Sequence, residues 1–177
     1  SKSVLVSHPQ TTDDFSSYTL GLQWQFNHNP VNTHWSLNER RGWLALKALK
    51  AATLRESRNM LTQKCMGYLS TATVLLDFSA LADGQRGGLF CTGSLYNGIG
   101  ISREEGKNYL YLEKNGDVQQ VKMVSGKKIY LRVMLDAKKN RCQLFYSFDN
   151  RNFILCGDAY SLKFGDWKGA RVGLYSY

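Results

Sequence analysis

The residues able to do chemistry are few, and their spacing restricts what they can do. The three histidines, His8, His28 and His34, all fall near the N-terminus, and no Gly-x-Ser-x-Gly elbow supplies a serine nucleophile to match them. Glycosidic bond cleavage needs an acid and a second carboxylate on facing positions, and no Glu-x-Asp-x-x-Glu type spacing occurs. Glu104 and Glu105 precede a glycine, and Glu113 and Asp117 flank Asn115-Gly116, so these read as solvated charges around turns. Neither an Asp-x-Asp-x-Asp-Gly loop nor a His-x-x-x-His pair is present. Asp13, Asp14 and Asp166 leave two readings, a structural calcium ion or solvated loop acids. Cys65, Cys91, Cys142 and Cys156 lack Cys-x-x-Cys spacing, which argues against a zinc ribbon or a thioredoxin site. They are read as buried free thiols, with disulfides as the alternative.

The distinctive chemistry is recognition. In Leu20-Gly-Leu-Gln-Trp-Gln-Phe-Asn-His-Asn-Pro30, the side chains of Leu20, Leu22, Trp24 and Phe26 can share one strand face. The run closes in the polar cluster Asn27-His28-Asn29, and Trp35 follows shortly after. A second polar run is Arg58-Asn-Met-Leu-Thr-Gln63. Aromatic rings offer flat apolar faces to the C–H face of a sugar, while amides, His and Arg give directional hydrogen bonds to its hydroxyls. The competing reading places Trp24 in the core and leaves the Asn and His side chains to satisfy loop backbone.

These residues need a scaffold, and the rest of the chain reads as strands. Short runs rich in β-branched and aromatic residues recur at 70–78, 88–91, 108–113, 128–135, 142–148 and 170–176. In 128–135, Ile129, Tyr130, Val133 and Leu135 are expected to face inward. Turn chemistry separates the runs at Asp83-Gly84, Glu105-Gly106, Asn115-Gly116, Ser125-Gly126 and Asp149-Asn150. Residues 46–57 hold helix formers but lie between strand-like runs, which predicts a loop with at most one helical turn. The reading is all-β: a two-sheet antiparallel β-sandwich, or jelly roll, over 14–177. Residues 1–13 are expected to form a linker or a tail pairing with it. With 177 residues, 43% hydrophobic and 21% charged, one globular domain is expected, and the longest apolar runs are too short to span a membrane. The start at Ser1 suggests a piece of something longer.

The formal charge of +9 raises nucleic acid as a partner. Lys122, Lys127, Lys128, Arg132, Lys138, Lys139 and Arg141 cluster in one stretch, but without the interleaved aromatic face of a nucleic-acid binder. They read as a solvated, basic sheet edge. No nucleic-acid or membrane partner is expected.

The same runs carry a family likeness. Leu22-Gln-Trp-Gln-Phe-Asn-His-Asn-Pro30 with Trp35-Ser-Leu37 resembles the opening of the C-terminal module of family 43 glycoside hydrolases, which include β-xylosidases and α-L-arabinofuranosidases. Arg41-Gly-Trp-Leu-Ala-Leu46, Arg58-Asn-Met-Leu-Thr-Gln63, Asp83-Gly-Gln-Arg-Gly-Gly-Leu89, Tyr146-Ser-Phe-Asp-Asn150 and Gly169-Ala-Arg-Val-Gly-Leu174 follow in the family's order. This sequence departs from the family at Gln85, where an acid is common, at Gly87, where Ala is usual, at Ala45 and at Phe26. The resemblance implies a concanavalin A-like sandwich that follows a five-bladed catalytic propeller, packs against it and can help shape its substrate pocket. It therefore implies a non-catalytic accessory module. The partners it implies are the propeller of the same polypeptide and a xylan-type oligosaccharide or polysaccharide, in an extracellular or periplasmic enzyme. Trp24, Asn27, His28, Trp35, Arg58, Asn59 and Gln63 are expected to line one glycan- or propeller-facing surface, with Asp83 and Arg86 on a loop at its rim. The alternatives are an autonomous hydrolase with an unrecognised carboxylate pair and a free-standing lectin-like protein.

Overall fold

Alternation of apolar side chains along the strands decides the architecture. The computed structural model describes residues 12–65, 67–93, 95–157, 160–161 and 169–177. Within them, a seven-stranded antiparallel sheet runs in the order β1-β4-β14-β6-β7-β8-β9. Its strands are β1 (Gln25–Phe26), β4 (Leu61–Lys64), β6 (Arg86–Thr92), β7 (Tyr96–Glu104), β8 (Lys107–Lys114), β9 (Asp117–Val124) and β14 (Arg171–Ser176). A second sheet, β12-β11-β10-β5, is built from β5 (Leu69–Asp77), β10 (Lys128–Asp136), β11 (Arg141–Ser147) and β12 (Ile154–Leu155). The two-residue β13 (Tyr160–Ser161) also pairs with β11. A small ribbon joins β2 (Trp35–Ser36) to β3 (Ala45–Leu46).

The main core lies between the two sheets. Leu89 and Cys91, Ile99 and Ile101, and Leu110 and Leu112 enter it from the seven-stranded sheet. Ile129, Leu131, Val133 and Leu135 on β10 meet them with Cys142, Leu144 and Tyr146 on β11. The period of two is strict enough that Tyr130, expected inside, lies on the opposite face of β10 from buried Ile129 and Leu131. Sheet order divides the reading of the basic stretch: Lys122 does lie on an edge strand, β9, whereas Lys128 and Arg132 lie on β10. β10 is flanked on both sides by β5 and β11, so its cations do not mark a sheet edge. Several cations of the stretch rest on rings. The Arg132 guanidinium lies 3.6 Å from the Phe153 ring centroid, and the ammonium groups of Lys138 and Lys122 lie near Tyr68 and Tyr146.

The other face of the seven-stranded sheet carries a second core, and this layer positions the site. Residues 47–60 cross that face as a loop whose one helical turn is a 3-10 turn at Leu54–Glu56, matching the sequence reading. Leu54 and Met60 from the loop pack on Phe90, Tyr111, Tyr175 and Tyr177. Room for them comes from glycines on β7, a strand that its own sequence marks poorly. A Cβ on Gly98 would stand 2.9 Å from Leu54 Cδ2, and one on Gly100 would stand 2.3 Å from the Gly87 carbonyl oxygen. The β8–β9 hairpin turns at Asn115 and Gly116 with φ of 49° and 92°, the type I′ geometry that the Asn-Gly pair predicts.

The expected N-terminal strand is much shorter than its alternation suggests. Only Gln25–Phe26 pairs, against Leu61 and Thr62 of β4, and Leu22 is fully exposed rather than sharing a buried face with Trp24. Residues 12–24 instead run as loops with local Asx turns, in which the Asp13 and Asp14 carboxylates accept from the Phe15 and Ser16 amides.

Candidate functional site: an aromatic groove and a buried carboxylate cluster

The expected surface divides into three places. The first is a groove of about 560 Å³ on the flank where β5 faces β4 and β14. Phe15, Trp24, Trp43, Gln63 and Leu69 line it together with Asp13 and residues 70–75 of β5. Trp24 is fixed there by its Nε1–H, which donates to Asp13 Oδ2 at 2.8 Å, and by stacking on Phe15 at 5.6 Å between centroids. Trp43 carries two cations, the Arg40 guanidinium 4.1 Å and the Lys128 ammonium 5.2 Å from its centroid. Arg40 also pairs with Asp77 at 2.6 Å. Burial pushes the Asp77 carboxyl up, but hydrogen bonds from Ser79 and Arg40 outweigh it and bring the pKa down to about 2. The groove thus offers aromatic rings framed by charge and planar polar groups.

The second place is the loop junction over β1 and β4. Asn59, buried with φ of 57°, clamps Val31 through both amide atoms: Oδ1 accepts from the Val31 amide at 2.7 Å and Nδ2 donates to its carbonyl at 2.9 Å. Asn27 donates to the Tyr96 hydroxyl at 2.8 Å. Arg58 donates to the Asn29 carbonyl at 2.9 Å. Trp35 donates to Asn32 Oδ1 and packs on Phe26. His28 is exposed. Of the polar groups the sequence concentrates here, Asn59 and Arg58 satisfy loop backbone while Asn27 and Trp35 bond the Tyr96 and Asn32 side chains, and Trp24 and Gln63 are the two predicted residues that reach the groove.

Asp83 and Arg86 belong to the third place, across the sheet. Asp83 accepts from the Gly106 amide at 2.9 Å and lies 3.5 Å from Arg103 Nε. Arg86 points into a cluster the sequence reading did not assemble. Glu113, expected in solvent, is 1% exposed, because it shares a β8 face with Tyr111 beneath the 47–60 loop. Its Oε2 accepts from the Leu54 amide at 2.8 Å, its Oε1 accepts from the Tyr177 hydroxyl, and Arg86 Nη1 lies 3.7 Å away. Arg86 also donates to the Tyr177 hydroxyl at 3.1 Å, and the Tyr111 and Tyr175 hydroxyls bond to each other. A buried carboxylate is costly unless charge and hydrogen bonds compensate it, and here every partner is supplied. Burial pushes the Tyr111, Tyr175 and Tyr177 phenols above their usual range. Burial would lower the Arg86 pKa, but the hydrogen bond to Tyr177 and the nearby Tyr111 and Glu113 raise it. A recess of about 300 Å³, bounded by Lys50, Asp83, Gln85, Arg86 and Tyr177, opens above.

Chemically, the cluster ties down the loop and Tyr177. The groups that hold Glu113 are the Leu54 amide, the Tyr177 hydroxyl and the Arg86 guanidinium. Among the described residues, no group of three His, Cys, Asp or Glu side chains could hold a metal ion. The Asp13 and Asp14 carboxylates serve their own loop, and Asp166 lies outside the described residues. The signal that could have found Glu113 was the alternation Tyr109, Tyr111, Glu113; the covering loop could not be read from it.

Comparison with known proteins gives this geometry a context. The family described as the β-xylosidase C-terminal concanavalin A-like domain matches residues 12–177. The chain is 41% identical over 164 residues to a protein of Xylanibacter ruminicola whose name classes it with the β-xylosidases, covering 93% of this chain and 30% of that protein. It is 36% identical to a β-xylosidase of Formosa agariphila, covering 97% of this chain and 33% of the relative. Among solved structures, the bifunctional GH43-CE protein of Bacteroides eggerthii superposes with a TM-score of 0.84 at 27% identity, over 93% of this chain and 23% of that one. The chain thus spans about a third of the length of the curated relatives it matches.

Proposed function

The chain belongs to the concanavalin A-like C-terminal domains of β-xylosidases, and from that membership we propose that it serves as a non-catalytic accessory module docked on the catalytic propeller of its own polypeptide. The observation that carries this reading is the exposure of large side chains in the segment that enters the groove at Trp24 and at the groove wall. Leu22 and Tyr18 are 106% and 72% exposed in the segment that leads into Trp24, and Leu69 at the groove wall is 62% exposed. Large side chains left in water in this way mark an interaction surface. In a C-terminal module, the N-terminal side is also where a preceding domain joins. Catalytic carboxylates then reside in the propeller, while the module supports the enzyme's action on xylan- or arabinoxylan-type polysaccharide outside the cell or in the periplasm.

The groove favours a companion role, contact with the glycan itself. Trp24 and Trp43 supply ring surface, and Gln63 and Asp13 supply polar groups beside it. Two measurements separate the roles. Catalytic domain and module, produced as separate chains, should associate in titration calorimetry, and Leu22→Asp should weaken that association at least tenfold; no association would sink the docking role. Xylo-oligosaccharide titration and an insoluble-xylan pull-down test the glycan role, which fails if both are blank. Turnover of aryl-xyloside or aryl-arabinofuranoside by the module alone would overturn the non-catalytic reading.

A further inference from the structure

We propose that Cys91 and Cys142 are a covalent modification site, an intersheet cystine made as the two sheets close. All four cysteines are thiols in this structure. Cys91 lies on β6 opposite Asn97 and Val172, and Cys142 lies on β11 opposite Leu135, so the pair bridges the two sheets across the core. Both are buried, at 1% and 0% exposure, and their sulfurs stand 2.7 Å apart, closer than two sulfurs sit in simple packing contact. Cys65 lies near enough to Cys91 to be an alternative partner, and direct contact decides between them. Cys65 and Cys156 pack on the same core, yet the sulfur–sulfur contact is between Cys91 and Cys142. Side chains from facing sheets that already meet need little backbone movement to be bridged.

Burial also dictates when the bond forms. Burial and mutual contact hold the Cys91 thiol protonated, and burial pushes Cys65 up to about 12 and Cys156 up to about 11. Thiolate is the attacking species, so exchange in the closed sandwich is slow and the reaction belongs to the folding chain. One cysteine attacks an external disulfide, of a small molecule or of an oxidoreductase, and releases one thiol. The second cysteine attacks the mixed disulfide, forms the Cys91–Cys142 bond and releases the second thiol. The two cysteine hydrogens end on the two released thiols, and the external disulfide is the species reduced.

The test is refolding of the reduced, unfolded chain with and without oxidised glutathione, followed by maleimide alkylation in denaturant and mass analysis. Oxidised refolding should leave two of the four cysteines unalkylated until reductant is added, with peptide mapping joining Cys91 to Cys142. The crosslinked form should melt roughly 5–15 °C above the reduced one. Four alkylated cysteines after oxidised refolding, or a bridge through Cys65 or Cys156, would overturn the proposal. The C91A/C142A variant should lose the protected pair, and the wild-type mass result stands whether or not that variant folds.

Discussion

Neutralising Glu113 leaves the half-buried Arg86 guanidinium and the Tyr177 hydroxyl facing an amide where a carboxylate had compensated both. Glu113→Gln is therefore expected to cost about 1–3 kcal/mol, read as a lower urea midpoint with unchanged slope. An unchanged midpoint would mean the cluster is not a stabilising tie. The three clustered phenols give a second prediction, with its own sign. Tyr111, Tyr175 and Tyr177 resist ionisation in the fold, whereas in the unfolded chain they ionise near the usual pKa of about 10. Their contribution is intact below that value and is lost as pH climbs above it. Phenolate absorbance should show three of the ten tyrosines titrating only as circular dichroism collapses. Smooth ionisation of all of them in folded protein would count against the arrangement.

Strand pairing at β6 and β7 depends on close backbone approach, and the glycines there are not equivalent. A Cβ on Gly100 meets the Gly87 carbonyl at 2.3 Å and the Tyr175 hydroxyl at 2.8 Å, whereas a Cβ on Gly87 finds its nearest neighbour at 3.5 Å. Gly100→Ala is expected to cost about 1–3 kcal/mol or more through overpacking. Gly87→Ala should be neutral or stabilise by about 0.4–1 kcal/mol. Thermal melts of the two variants check this, and equal shifts would refute the distinction. The elements show where sequence reading worked. Strands with alternating faces, such as β8, β10 and β11, were legible because a half-buried surface imposes a period of two. β7 was not, because its glycines answer to Tyr175 and Leu54, which arrive from distant parts of the chain. The β1 region was over-read, since alternation at Leu20–Phe26 lacks a strand partner beyond Thr62 and Leu61.

For the whole molecule, the charge of +9 finally matters as a stability term. Asp77 holds Arg40, which in turn lies on Trp43 at the groove. A carboxyl depressed from 3.8 to about 2 contributes fully above the higher value and loses its contribution as pH falls toward the lower. Protonating the 14 carboxylates at the same time adds positive charge to a chain already carrying an excess. Stability should therefore fall steeply between about pH 4 and 2, and Arg40→Ala should blunt the part of the Asp77 share that does not come from the Ser79 hydrogen bonds. Urea midpoints across this range check it; an Arg40→Ala curve parallel to wild type would remove Arg40's share and leave the Ser79 hydrogen bonds to account for Asp77.

Binary pattern, turn pairs and family motifs were enough, without coordinates, to determine an all-β sandwich and its kinship, because each is a local property of the chain. Asn-Gly makes its own turn, and alternation makes its own face. Which residues meet was decided only by the tertiary structure. The Arg58 and Asn59 side chains turned to loop backbone and Asn27 to the Tyr96 hydroxyl, Trp24 and Gln63 came to one groove, and Arg86 left them for Glu113. Those choices rest on contacts between segments as far apart as Leu54 and Glu113, where burial sets the cost of every unpaired polar group and therefore its partner.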